Sequence, residues 1–345
     1  MRDYSPARSA RFTRGAAVVG VFGVLVAATS ACTDDDEQLR TPDGSVISTV
    51  TSRVASVNVV NADRDYADTC LAPTDTDAGQ TAVTSVVVTD PALLDPMCAL
   101  GAGTAVKAVA ADAGTIPAYL GPQLTAVPTI GKQPSTDDVR KARPQVVLAT
   151  PATADAVSAL RGSGALGDAK VVTVDTGPDW RKTFTDVAAG LHRTESAQTR
   201  LGEFDTEAKR VGTVMDAAHS QVSLIRFTAD QTLMAGTGGF AAGILSRIGV
   251  QRPAAQRSEN DTPLTDQNFD DADADLIYAS HEGDAGLKRA ESTFDSTRWK
   301  DLGAVSWQRI LWVDDDVWYH SSGLAAAWLV LNDVKTSLNS SSSSE

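Results

Sequence analysis

The stretch TESAQTRLGEFDTEAKRVGTVMDAA, residues Thr194 to Ala218, decides the fold. Its apolar residues Ala197, Leu201, Phe204, Ala208, Val211 and Met215 lie four, three, four, three and four positions apart. That rhythm lays one stripe along a helix and fits no strand. Only Gly202 and Gly212 interrupt it, and it holds no proline. At about 1.5 Å per residue such a helix reaches about 37 Å, enough to cross two small lobes.

Toward the N-terminus the chain alternates strand and helix. Ser85–Thr89, Ala105–Ala110, Gln145–Ala149 and Val171–Val174 read as buried β-branched strands. Asp90 and Pro91 open a short helix, Gly101 and Gly103 stop it, and further helices start near Thr136, Ala152 and Asp179. Toward the C-terminus the alternation resumes. Strands are expected at Val222–Thr228, Thr232–Ala235, Ala274–Ala279 and Arg309–Val313, and helices after Gly239, over Ala285–Thr293 and over Leu324–Leu338. The halves echo each other. Asp137 and Asp138 lead into Pro144-Gln145-Val146-Val147-Leu148, and Asp266 leads into Ala274-Asp275-Leu276-Ile277. The expected fold class is α/β: two Rossmann-like lobes, 81–193 and 219–338, joined by one long helix over 194–218. Sheets of this kind are mainly parallel and hold ligands at their carboxyl ends, here in the cleft between the lobes.

The 345-residue chain carries a net charge of −14, and four arginines against one aspartate in the first 31 residues leave −17 for the rest. Nucleic acid and a bare anionic membrane surface are poor partners for such a body. The first 31 residues read as an export leader: a basic start ending at Arg14, an uncharged run from Gly15, then Ala28-Thr29-Ser30-Ala31 before Cys32. Small residues directly before a cysteine resemble the lipobox of bacterial lipoproteins, with Thr29 where leucine is usual. Lipid on Cys32 would anchor the body to the outer face of the cytoplasmic membrane. Residues 32–80 then form a tether and an N-terminal extension of ambiguous structure, with Val54–Val60 as a possible strand and 75–79 as an acidic loop. The two remaining cysteines of an exported chain, Cys70 and Cys98, are expected to form a disulfide. The serine-rich end, 339–345, reads as a disordered tail.

Catalytic signatures are missing. Gly162–Gly167 spells G-x-G-x-x-G but follows a helix and precedes a strand, the reverse of a nucleotide site. No nucleophile elbow, P-loop or zinc-protease motif occurs, and His192, His219, His281 and His320 have no metal-ligand spacing. No enzyme, metal site or cofactor is expected. Asp314-Asp315-Asp316 reads as a solvated turn. The informative residues are aromatic. Tyr119, Trp180, Phe240, Trp318 and Tyr319 fall at or just after expected strand ends, where flat rings suit a large conjugated or hydroxamate-like ligand. Core packing is the competing reading for each. Arg226 lies inside a strand, where a charge needs a partner, and an anionic ligand is one candidate. The Gly236–Gly239 turn is read as ligand-lining or as a tight turn only.

Taken in order, Cys32, the pair Cys70 and Cys98, Met97-Cys98-Ala99-Leu100-Gly101, Pro117-Ala118-Tyr119-Leu120-Gly121, the strand after Pro144, the long helix, Ile248-Gly249-Val250 with Arg252-Pro253, and Ala274–Ile277 resemble the helical-backbone (cluster A, periplasmic binding protein type III) solute-binding lipoproteins of ABC importers, the FecB-type iron–siderophore and haem-binding proteins among them. The resemblance covers residues 65 to 337. It implies a monomer with two lobes on a rigid helix. It also implies a ferric siderophore, haem or cobalamin as ligand, and one acid per lobe docking onto arginines of a membrane permease. The matching acids are Asp137 and Asp266, where the family usually has glutamate, and helix capping is their alternative role. The function implied is capture of an iron chelate or haem for import. A rival reading keeps the fold but makes the chain an envelope interaction protein without transport.

Overall fold

The computed structural model describes residues 52–340, with side chains through Ser337. The leader over 1–31, Cys32, the tether up to residue 51 and the last five serine-rich positions lie outside the described residues.

The described chain opens with a hairpin, β1 (Arg53–Val54) and β2 (Val57–Val59), turned by Ala55 and Ser56 at φ 49° and 68°. The first lobe then runs β3 (Val86–Val88), α1 (Leu94–Ala99), β4 (Val106–Val109), α2 (Gly121–Thr125), α3 (Thr136–Ala142), β5 (Val146–Ala149), α4 (Ala154–Gly162), β6 (Lys170–Thr173) and α5 (Trp180–Gly190). After α6 (Thr194–Val214) the second lobe runs β7 (Val222–Phe227), β8 (Thr232–Met234), α7 (Phe240–Ile248), β9 (Thr262–Pro263), β10 (Leu276–His281), α8 (Gly283–Asp295), α9 (Thr297–Lys300), α10 (Gly303–Ser306), β11 (Ile310–Trp312) and α11 (Leu324–Ser340).

The first sheet has the order β4-β3-β5-β6 and is parallel throughout. The second has the order β1-β2-β11-β10-β7-β8-β9, parallel from β2 to β7 and antiparallel at both edges. The ambiguous extension is thus partly a strand of the far lobe: β2 pairs with β11, Leu311 opposite Asn58 and Trp312 opposite Val59. The possible strand Val54–Val60 is thus a hairpin, and its second strand finds its place in the sheet through a partner some 250 positions away, which no local pattern announces.

Period-2 alternation sorts the strand residues between layers. Val86 and Val88 face one core and Val87 another. Val222, Leu224 and Tyr278 join the core of Val86, while Ile225, Phe227 and Ile277 face away from it. One apolar core therefore runs from the first sheet through α1, α5, α6, α7 and α11 to the second sheet. At roughly 1.5–3 kcal/mol for each fully buried large aliphatic or aromatic side chain, this shared core resists opening between the lobes.

The helix α6 buries Ala197, Leu201, Phe204, Ala208 and Val211, all from the expected stripe. Its 21 residues span about 31 Å, less than the expected length. It stops at Val214 because Asp216 turns left-handed at φ 52°. Gly212 is required where it sits, since a Cβ there would run into the carbonyl of Ile248 at the end of α7. The N-terminus of α6 is held from afar: Asp77 accepts from the amides of Thr194 (3.0 Å) and Glu195 (3.1 Å), and these backbone donors hold its carboxyl below the usual range. The Cys70–Cys98 disulfide fastens this loop to α1. Last, α11 runs to Ser340, two residues past its expected end.

Candidate functional site

The site grows from one misplaced-looking residue. Arg226 is the fifth residue of β7 and points to the interlobe side, as Leu224 does. Asp315 meets it with both oxygens, at 2.9 Å from Nε and 2.8 Å from Nη2. Ser280, opposite Arg226 in β10, donates to the same carboxylate at 2.7 Å. The Tyr319 ring lies 4.8 Å from the guanidinium, and Asp315 pushes the Arg226 pKa further up. Glu282, just past β10, is 3.5 Å from Nη2, and the His320 Nε2 is 2.7 Å from it. Asp315 sits just before a π-helical turn, Asp316–His320, which carries Tyr319 and His320 back toward Arg226.

A strap from the N-terminal hairpin closes the neighbouring side. Val60 extends the β2–β11 ladder by donating to the Trp312 carbonyl at 2.9 Å. Asn61, at φ 51°, donates to Asp333 of α11 at 2.7 Å, and Arg64 pairs with the same carboxylate. Tyr66 donates to Asp314 at 2.6 Å, while its short turn, Tyr66–Asp68, packs on α2 of the first lobe. Burial and Asp314 both push the Tyr66 phenol up.

Between strap and strand ends lies a cavity of about 540 Å³. Its polar lining includes Asn61, Arg64, Tyr66, His281, Glu282, Asp314, Asp315, Asp316 and His320, and Trp312 is part of its apolar wall. It stands at the carboxyl ends of β2, β10 and β11, where open α/β sheets hold ligands, and its size suits a small-molecule ligand. A larger groove, about 840 Å³, lies at the amino ends of β3 and β5, beside Lys107, Lys141 and Arg143. That is the wrong end of a parallel sheet for a ligand, so the smaller cavity is the better candidate. Among the described residues no His, Cys, Asp and Glu side chains group to hold a metal ion, and no helix is long and apolar enough to cross a membrane.

No family model matches the chain. A curated relative, the probable siderophore-binding lipoprotein YfiY of Bacillus subtilis (strain 168), is 28% identical over 171 residues, 46% of this chain and 53% of the relative. The match thus spans about half the length of that relative. Among solved structures, Staphylococcus aureus SirA complexed with staphyloferrin B superposes at a TM-score of 0.57, 21% identical, over 76% of this chain and 95% of that one. Staphylococcus aureus FhuD2 with bound ferrioxamine B superposes at 0.56, 17% identical, over 74% and 98%. The chain has the helical-backbone binding-protein fold.

Within that fold the expected ligand contacts divide. Two are corrected. Tyr119 is buried and donates to the equally buried Asp95 at 3.1 Å, because its loop folds into the shared core. Trp318 is fully buried, its indole donating to Asp333 at 2.8 Å. Trp180 and Phe240 are half-buried and meet edge-on across the lobes at 6.3 Å, with Phe204 of α6 at 6.0 Å from Trp180. They are interlobe packing, away from the cavity lining. None of the six lines the cavity itself; Tyr319 stacks on Arg226, and Arg226 borders the cavity through Asp315, the partner its charge requires. That also corrects the reading of Asp314–Asp316 as a solvated turn. The Gly236–Gly239 turn bonds to residues 258–261.

Asp137 and Asp266 are exposed, 82% and 81%, each 3.6 Å from a surface arginine, Arg140 and Arg298. Neither caps a helix: Ser135 caps α3, and Asn268 precedes the turn after Asp266. The residues the sequence reading missed are Asn61, Arg64, Tyr66, Glu282 and Asp315. The one available signal was a strand arginine in need of a partner, followed by an acidic run after a strand.

Proposed function

We propose that the chain is a substrate-binding lipoprotein of an ABC importer, holding a ferric siderophore at the carboxyl ends of the second sheet. The observation that carries this is the cavity between strap and strand ends, in a fold whose lobes share one core and need no wide opening. The names of YfiY, SirA and FhuD2 as siderophore-binding proteins or complexes support the same ligand class. Binding requires no catalytic group. Lipid on Cys32 would keep the protein beside its permease, and the exposed Asp137 and Asp266 would meet permease arginines, one per lobe. Tryptophan quenching of the purified protein, titrated with ferric siderophores and with haem, tests the reading. Saturable quenching by a ferric siderophore is expected. Quenching by haem alone moves the ligand class, and quenching by none sinks the proposal. Cys32→Ala should move the protein from the membrane fraction to the soluble one. Asp137→Arg with Asp266→Arg should abolish uptake while leaving chelate affinity within about twofold.

A further inference from the structure

Arg64, which lines the cavity, and Arg226, which borders it through Asp315, already have carboxylate partners. Arg226 spends Nε and Nη2 on Asp315, and Arg64 is paired with the buried Asp333. Desolvation lowers the Arg64 pKa, and its head lies mostly inside the strap. Facing the cavity beyond these pairs are carboxylates: Glu282, half-exposed at 48%, Asp314 and Asp316. The nearby Arg252 is buried, donates through Nη2 to Ala235 and Gln256, and keeps Nε and Nη1 unpaired, but it does not line the cavity. The lining thus holds acids in excess over cations. A polyanionic chelate would need to strip Arg226 from Asp315, which would leave a carboxylate 11% exposed without its counter-charge. Recognition of clustered carboxylates rests on arginines whose donor forks face the ligand; here the Nε–Nη2 face of Arg226 is spent on Asp315, Arg64 is paired with Asp333, and the unpaired donors of Arg252 lie outside the lining.

Resting on the siderophore reading above, we infer that this cavity selects ferric chelates of neutral or positive charge, the hydroxamate class, and rejects polyanionic citrate-type and catecholate chelates. A pendant ammonium on the chelate would settle against Glu282 and Asp316. The closing experiment titrates the purified protein with four ferric chelates. They are a linear trihydroxamate bearing an ammonium, a neutral cyclic trihydroxamate, a citrate-type chelate and a tris-catecholate. The first two should bind at least about tenfold more tightly than the last two, and the advantage of the ammonium-bearing chelate over the neutral one should shrink with salt. Glu282→Gln and Asp316→Asn should each narrow that same advantage several-fold. Asp316 is exposed, so its variant serves even where the first fails to fold. Equal or tighter binding of the polyanionic chelates overturns this inference and leaves the siderophore reading standing. An advantage unmoved by both substitutions overturns the role of the acids. Failure of all four to bind overturns the underlying reading instead.

Discussion

At the carboxyl end of the first sheet, Thr89 and Thr153 share a hydrogen bond at 2.7 Å and Thr150 donates to Asp90 at 3.0 Å. At the carboxyl end of the second sheet, Arg226, Glu282, Asp315 and His320 form a charged network beside an open cavity. The first end is sealed: Thr89 and Thr150 are buried, and their hydroxyls are spent on Thr153, the Leu148 carbonyl and Asp90. The second is solvated and turns Glu282, Asp314 and Asp316 toward the cavity. The four-stranded parallel sheet and the seven-stranded mixed one thus put their carboxyl ends to different use: the first spends its polar groups on its own packing, and the second borders the cavity. The largest test of this is Arg226→Ala. It leaves Asp315 without its counter-charge, with the Ser280 hydroxyl still donating to it, and a cost of about 3 kcal/mol in unfolding free energy is expected for breaking such a pair. Chelate binding should fall with it. Denaturant midpoints and quenching titrations on the same preparation read both. Full stability with intact binding would show that the network is incidental and the contrast empty.

What holds the sealed lobe still is a second junction. Asp95 of α1, in the first lobe, accepts from the amides of Ala325 (3.0 Å) and Ala326 (2.9 Å) at the N-terminus of α11. A carboxylate there meets free N–H groups and the positive end of the helix. Gly323 makes the approach possible: at φ 146° it occupies a conformation side chains avoid, and a Cβ would overlap the Asp95 carboxylate. Gly323→Ala should therefore cost about 2–3 kcal/mol, from strain and overlap together. A loss under half of that would mean the junction gives way easily, and the first lobe is less fixed than the contrast requires.

The same carboxylate supplies a pH signature. Burial raises the Asp95 pKa to about 6, against the backbone amides and the Tyr119 hydroxyl, which pull it down. Tyr119, itself pushed well up by burial, is the titratable group bonded to it. A carboxyl that holds its proton more tightly folded than unfolded adds stability as pH falls from about 6 toward about 4, and loses it on the way back up. Each tenfold gain in proton affinity on folding is worth about 1.4 kcal/mol, so the swing approaches 3 kcal/mol. Asp95→Asn should flatten that part of the stability–pH curve, so the gap between wild type and variant grows on acidification. Parallel curves from pH 6 to pH 4 would place the titration elsewhere.

Much of this architecture was legible in the sequence and the working end was not. The stripe from Ala197 to Val211, the valine strands and the Cys70–Cys98 pair are local or compositional signals, and each stands as expected. Val54–Val60 reads as a possible strand, but the strap's place was not legible, because the strand that fixes it, β11, lies some 250 positions further on. Aromatic residues near strand ends pointed to the right ends of the sheets and the wrong side chains. Ring position along the chain says nothing of whether a loop folds inward, as Tyr119 does, or whether a π-helical turn rotates Trp318 into the core and Tyr319 toward Arg226. The charge of Arg226 inside a strand was the better guide, since a buried guanidinium obliges its neighbours.

The smallest expected effect sharpens the contrast most. Thr150→Val keeps the side-chain shape and removes the donor to Asp90, which still accepts from the Ala92 amide at 3.0 Å. The loss of one hydroxyl bond at a buried position should cost about 1 kcal/mol. Because that hydroxyl is spent inside the first lobe, chelate affinity should stay within about twofold of wild type. A stable Thr150→Val protein with strongly weakened binding would mean that the first lobe's hydroxyls reach the ligand, and the division between a sealed sheet end and a cavity-lining one would fall.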